Sequence, residues 1–177
     1  SASSSLHNFA SRLAARLMLT FLSLSYLALP YLALACGWLW WPYATVVGLV
    51  VLAGLASTYW MLDRQPLELP PSNRNGVNPV FIAAITAGLL YLSGVGGLGY
   101  QQPGDWIKHN AVLHDLTVND WPVQYVDVPG VPQGRYLTYY IAYYLPAAVV
   151  GRIVGLVGAH LALAAWTYCG LLLTAAW

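Results

Sequence analysis

Residues 39–62 read LWWPYATVVGLVVLAGLASTYWML, twenty-four consecutive positions without a charged side chain. Coiled as a helix, this stretch shows apolar side chains on every face, and about 20 such residues cross the hydrocarbon core of a bilayer. Four other stretches, 17–36, 80–99, 136–157 and 159–177, have the same character. The fold class that follows is all-α, a polytopic membrane protein of about five transmembrane helices. Composition agrees, because 59% of the 177 residues are hydrophobic and only 7% are charged, against about 25% charged in soluble domains. Seven Lys/Arg and six Asp/Glu cannot dress a water-facing surface. That excludes an ordinary soluble domain and a disordered chain. It also excludes a nucleic-acid partner, which demands a basic face to neutralise phosphates. The partner this composition demands is the lipid bilayer.

Gly37 and Trp38 alone separate the first two stretches, so residues 1–62 are predicted to form a tight two-helix hairpin. Arg12 and Arg16 ahead of an apolar run resemble a signal peptide. The run is too long, however, and no small-residue cleavage site precedes Cys36, so it reads as a retained helix. Residues 63–79, DRQPLELPPSNRNGVNP, hold four prolines and three asparagines, a density that forbids a helix. They form a connector between the hairpin and a three-helix unit over 80–177, which carries a long loop at 100–135.

Orientation follows from the basic residues, which favour the cytoplasmic side. With five spans, Arg12, Arg16, Arg64, Arg74 and Arg152 all fall on one side, taken as cytoplasmic together with the N-terminus. Loop 100–135 then lies outside the inner (plasma) membrane, with Asp105, Asp115, Asp120 and Asp127 against Lys108 and Arg135. Trp38, Trp40, Trp41, Trp106 and Trp121 suit the headgroup level, where an apolar ring with a polar tip is at home.

Gly94, Gly96 and Gly99, in GVGGLGY, match the dinucleotide pattern G-x-G-x-x-G. That pattern has a mechanism only between a strand and a helix. Here it closes a membrane helix, so it reads as a loosened helix end. Gly151 and Gly155 form a G-x-x-x-G pair suited to close helix packing. Cys36 and Cys169 sit in apolar runs and read as packing residues.

Residues 105–118, DWIKHNAVLHDLTV, read as a short interfacial helix with Asp105 as its N-cap. Trp106, Leu113 and Thr117 fall on one stripe, with Val112 and Leu116 beside it. Lys108 and His109, one turn on, are within reach of Asp105. A capped helix with a local ion pair accounts for these residues. So does a chemical site, since Asp105, Lys108, His109, His114, Asp115 and Asp120 crowd into sixteen residues. A carboxylate beside a histidine at the mouth of a membrane cavity can serve as general base or hold a divalent cation. Asp105, His109 and Asp115 are the candidate catalytic residues; the identity of any cofactor or metal stays open. Tyr136, Tyr139, Tyr140, Tyr143 and Tyr144 open the fourth predicted helix and place a phenol stripe on one of its faces. Their hydroxyls need partners, so that face is expected to meet protein or a polar cavity.

From residue 80 onward the order of features resembles the GT-C superfamily of polytopic glycosyltransferases. The features are helix 80–99, Asp105-Trp106, Lys108-His109-Asn110, a surface helix to Leu116, Trp121-Pro122, and Tyr139-Tyr140 through Gly155. The D-W-x-K-H-N…W-P-V pattern is also similar to uncharacterised bacterial multi-spanning membrane proteins. The resemblance implies a polyprenyl-phosphate-linked sugar as donor, with Asp105 in the place of the catalytic acid and His109 and Asp115 as secondary candidates. It further implies the N-terminal portion of such an enzyme, incomplete for catalysis as it stands.

The competing reading is a non-catalytic subunit of a larger respiratory or photosynthetic complex, partnered by other membrane subunits. Tyr139, Tyr143 and the glycine pair would then be interface residues, and His160 an available axial ligand for a pigment or haem.

Overall fold

The computed structural model describes residues 2–64, 78–100, 104–126, 129–130 and 134–177. Most of the expected connector, with Arg74, and Asp127 of the outer loop lie outside the described residues. Helix α1 covers Ala2–Trp38 and α2 covers Trp41–Asp63, joined by a short turn at Leu39 and Trp40; Gly37 and Trp38, expected to separate the two helices, are the last residues of α1. Helix α3 covers Pro79–Ser93, α4 Asp105–Val118, α5 Leu145–Val154 and α6 Leu156–Ala176. Strands β1 (Gln124–Tyr125) and β2 (Arg135–Tyr136) pair antiparallel as a minimal hairpin between α4 and α5.

Among the described residues, three helical segments are long and apolar enough to cross a membrane: Leu13–Trp38, Trp41–Met61 and Leu156–Ala176, at mean hydropathies of 1.8, 1.7 and 1.7. Two apolar helices are shorter. Helix α3 has 15 residues, opened by Pro79 at its first turn and by Asn78, whose side chain accepts from the Val80 N–H at 2.9 Å. Helix α5 has only 10 residues.

The helix expected over 136–157 is therefore replaced by a broken segment. Tyr136 lies in β2, residues 137–140 are irregular, Ile141–Tyr143 form one 3-10 turn, and the α-helix starts at Leu145. Pro146 is the physical reason. Proline is well placed in the first turn of a helix, where its missing N–H is no loss, and it disfavours helical backbone at the residue before it. Consequently the five tyrosines share no helix face.

Helix α6 is the ruler of the molecule. Ser23 accepts from Trp177 Nε1 at 3.0 Å, Tyr26 stacks on Trp166 at 4.0 Å, and the Tyr168 hydroxyl reaches the Ala83 carbonyl at 3.2 Å. Both α1 and α3 thus run antiparallel to α6. The irregular segment descends along α6 until Tyr143 hydrogen-bonds Thr167, and α5 climbs back to Gly155. That residue, at φ 87°, reverses the chain into α6. At the top of the climb Arg152 meets Asp120 at 3.2 Å and the Asn119 carbonyl at 2.9 Å. This corrects the charge reading: Arg152 lies at the same end of the molecule as the outer-loop acids, because the segment before it turns back and does not run through as one helix.

The core gathers where α4, α5 and α6 meet the C-terminal end of α1. Leu113, Leu116, Val123, Leu145 and Leu163 are fully buried there, and Ala33, Leu34, Trp38 and Trp121 close around them. Helix α4 accordingly turns Val112, Leu113, Leu116 and Thr117 into protein. Gly151 brings the helices close, since a Cβ there would stand 2.5 Å from Ala159 Cβ and 2.9 Å from Thr117 Cγ2. Only this half of the expected glycine pair packs; Gly155 is the turn.

Candidate functional site

The site begins where α3 ends. Gly94 closes α3 in the left-handed conformation, and Gly96, Gly97 and Gly99 also hold positive φ. Gly96 is indispensable for a second reason: it lies against the His160 carbonyl, and a Cβ would stand 2.8 Å from Ala164 Cβ. The glycine cluster is thus a helix end, as the sequence suggests, but one docked tightly on α6 and not loosened, and no βαβ unit surrounds it among the described residues.

That docking sets the end of α3 beside the first turn of α4. Between them is a cavity of about 280 Å³ lined by Leu92, Ser93, Asp105, Trp106 and His109. Asp105 is the first residue of α4. Gly104 holds the N-cap position without a side-chain bond, so Asp105 does not cap; its negative charge sits favourably at the positive end of the helix. Its carboxylate is largely exposed and pairs with Lys108 at 3.7 Å, a geometry that holds it only loosely. Lys108 also lies 4.7 Å above the Tyr139 ring. Its pKa is raised, chiefly by the Tyr139 hydroxyl and less by Asp105.

His109 is held far more firmly. Its Nδ1 shares a hydrogen bond with the Tyr144 hydroxyl, and the rings of Trp106, Tyr144 and Tyr139 stand 5.3, 6.0 and 6.4 Å away. Tyr144 is buried, and burial, helped by Tyr143 and Tyr139, pushes its pKa up to about 12.

Asp115 belongs to a different place. Ten residues along the helix is about 15 Å, and there Asp115 accepts from the Tyr125 hydroxyl at 2.7 Å and faces His114 Nδ1 at 3.3 Å. Tyr125 is pushed up to about 12, first by burial and then by this bond to Asp115. The carboxylate ties β1 to α4 and does not line the cavity. Of the three candidate residues, then, the fold brings Asp105 and His109 together and removes Asp115. It adds Ser93, Trp106, Tyr139 and Tyr144. The sequence signal for Tyr144 was Pro146: a helix opening at proline leaves the preceding tyrosines free to turn toward α4.

Among the described residues no three His, Cys, Asp or Glu side chains converge on a common point. Cys36 and Cys169 are free thiols. His160 lies in α6 with Nδ1 buried and no hydrogen-bond partner among the described residues. No family model, no curated protein sequence and no solved structure matches this chain.

Proposed function

We propose that the protein is the membrane-embedded part of a GT-C-like glycosyltransferase in which Asp105 activates an acceptor hydroxyl for transfer of a sugar from a polyprenyl-phosphate carrier. The observation that supports this reading is the placement of the acid. Asp105 shares one cavity with His109 and Trp106 at the end of an apolar helix whose Leu92 faces outward. An acceptor hydroxyl can reach the carboxylate there while the chain of a lipid-linked donor lies alongside α3. A loosely paired carboxylate is free to take a proton, and a Trp face offers a wall for the apolar side of a sugar ring.

The membrane arrangement that goes with this reading has four crossings, α1, α2, α3 and α6, in place of five. The described residues between Gly94 and Gly155 gather on the outer face, with 137–154 as a re-entrant segment. Irregular backbone at membrane depth is tolerable where protein covers it, and Leu137, Ile141 and Tyr144 are buried. Helix α3, at ~22 Å, is short for a ~30 Å core and calls for local thinning around it. Arg12, Arg16 and Arg64 then share the cytoplasmic side of an inner membrane, as the positive-inside rule asks. Arg152 moves outside, neutralised by Asp120.

The test is Asp105→Asn in the full-length protein in native membranes, followed by transfer of labelled sugar. Loss of at least about a hundredfold, as for a removed general base, is the expected result; unchanged transfer removes Asp105 from the mechanism. A subunit role is favoured by one observation, that no residue of the apolar span Trp41–Met61 is buried. Co-migration with a multi-subunit particle in mild detergent would support it.

A further inference from the structure

The hydrogen bond between His109 and Tyr144 has a direction, and that direction decides what the cavity can bind. Tyr144 is buried, with 3% of its surface exposed, and its hydroxyl has no second partner among the described residues. Were Nδ1 to carry the hydrogen and donate, the phenol hydrogen would be left buried without an acceptor, at a cost of about 1–3 kcal/mol. Burial keeps the phenol protonated at neutral pH. The phenol therefore donates and Nδ1 accepts. A neutral imidazole that accepts at one nitrogen carries its hydrogen on the other.

That other nitrogen, Nε2, has no protein partner among the described residues, and His109 lines the cavity together with Asp105. The two residues are one turn apart, four positions along α4, and so stand on the same face. Around the ring stand Trp106 from α4 and Tyr139 from the irregular segment, and Lys108 lies over the Tyr139 ring.

We infer that Tyr144 is a positioning residue that fixes His109 in its Nε2–H form, so that the cavity presents a hydrogen-bond donor at His109 beside an acceptor at Asp105. A hydroxyl group satisfies both at once, accepting from Nε2–H and donating to the carboxylate. A deprotonated anion meets the donor but has no hydrogen to give Asp105, whose charge Lys108 already meets; an ammonium meets the carboxylate but leaves the donor unmatched. The ligand class is a neutral hydroxyl compound. The ligand class rests on the acceptor-site reading proposed above, whereas the tautomer stands apart from it.

Nitrogen-15 NMR of the full chain in lipid nanodiscs, with labelled histidine and above the pH of imidazole titration, tests both parts. The expected spectrum shows His109 Nδ1 as the bare, hydrogen-bonded nitrogen and Nε2 as the protonated one. Tyr144→Phe shifts the Nδ1 resonance toward that of an unbonded nitrogen while the helical circular dichroism is retained. A protonated Nδ1 in the wild type, or no Nδ1 shift in Tyr144→Phe, overturns the positioning role. Methyl β-glucoside is then titrated against the Nε2–H signal, with methyl phosphate and methylammonium as the other probes. Response to the glucoside, weakened about tenfold or more in Asp105→Asn through loss of a hydrogen bond to a charged group, supports the ligand class. Response to either ionic probe alone, or to none, overturns it. Transfer activity is not read in any of these measurements, so failure here and failure of the transferase reading remain separate results.

Discussion

The two ends of α4 carry almost the same chemistry and put it to opposite uses. At the first turn, Asp105 and His109 face a cavity with Lys108 beside Asp105, and only His109 is tied down. At the last turns, Asp115 is bound by Tyr125, and Asp120 is met by Arg152, which lies 5.2 Å over the Trp121 ring. An acid next to a histidine occurs at both ends, as Asp105 with His109 and as Asp115 with His114. What separates them is partners. A carboxylate already accepting from a tyrosine hydroxyl is committed to holding β1 on α4, whereas one in a loose, exposed pair keeps its lone pairs for a ligand. Crowded ionisable groups mark a place to look; the hydrogen bonds they have already made say whether anything is left for chemistry.

The sharpest way to break this comparison is to neutralise each acid in turn. Asp105→Asn is expected to abolish at least about a hundredfold of sugar transfer with the thermal midpoint unchanged. Asp115→Asn should lower the midpoint and leave the turnover of the folded fraction intact. Equal losses of activity in both would erase the distinction between the two ends.

Next in size is the packing that holds the structural end together. Gly151→Ala pushes a methyl against Ala159 and Thr117, and overpacking of this kind costs about 1–3 kcal/mol. The loss should appear in detergent unfolding curves. A neutral result would mean that α4 and α5 can separate without cost.

Tyr125→Phe removes one hydrogen bond from Asp115, about 1 kcal/mol, and sharpens the comparison through pH. The folded-state pKa of Tyr125 is about 12, above its ordinary value of 10.0. Its contribution is therefore complete below pH 10 and fades as pH rises toward about 12. Tyr144 behaves in the same sense. Wild type should lose stability across that window, and Tyr125→Phe should lose less of it. The smallest effect is expected from Asp120→Asn. Asp120 is fully exposed beside Arg152, and a surface pair of this kind contributes little, so no measurable shift of the midpoint is anticipated.

Much of this was legible in the residues themselves. The charge-free run at 39–62 and its companions announced apolar helices, and the glycines at 94–99 announced a helix end. The crowding over 105–120 pointed to the right stretch. Hydrophobicity alone, however, does not count turns. Residues 136–157 are as apolar as a span, and only the start enforced by Pro146 and the pull of Thr167 and His109 on separate tyrosines divide them. The side assigned to Arg152 failed for the same reason, because it assumed an unbroken helix before it.

By itself, the sequence determined that the chain is built of apolar helices and where some of them are punctuated, by Asn78-Pro79 at the start of α3 and by the glycines from Gly94 at its end, since both follow from local chemistry: side-chain polarity, proline, glycine and asparagine. Only the tertiary structure decided which ionisable groups are free. Asp105 and Asp115 are the same residue type on the same helix. Their difference lies in what the chain brings from elsewhere: Ser93 and an open cavity to one, and Tyr125 to the other. That choice depends on contacts between residues distant in sequence, which no local pattern encodes.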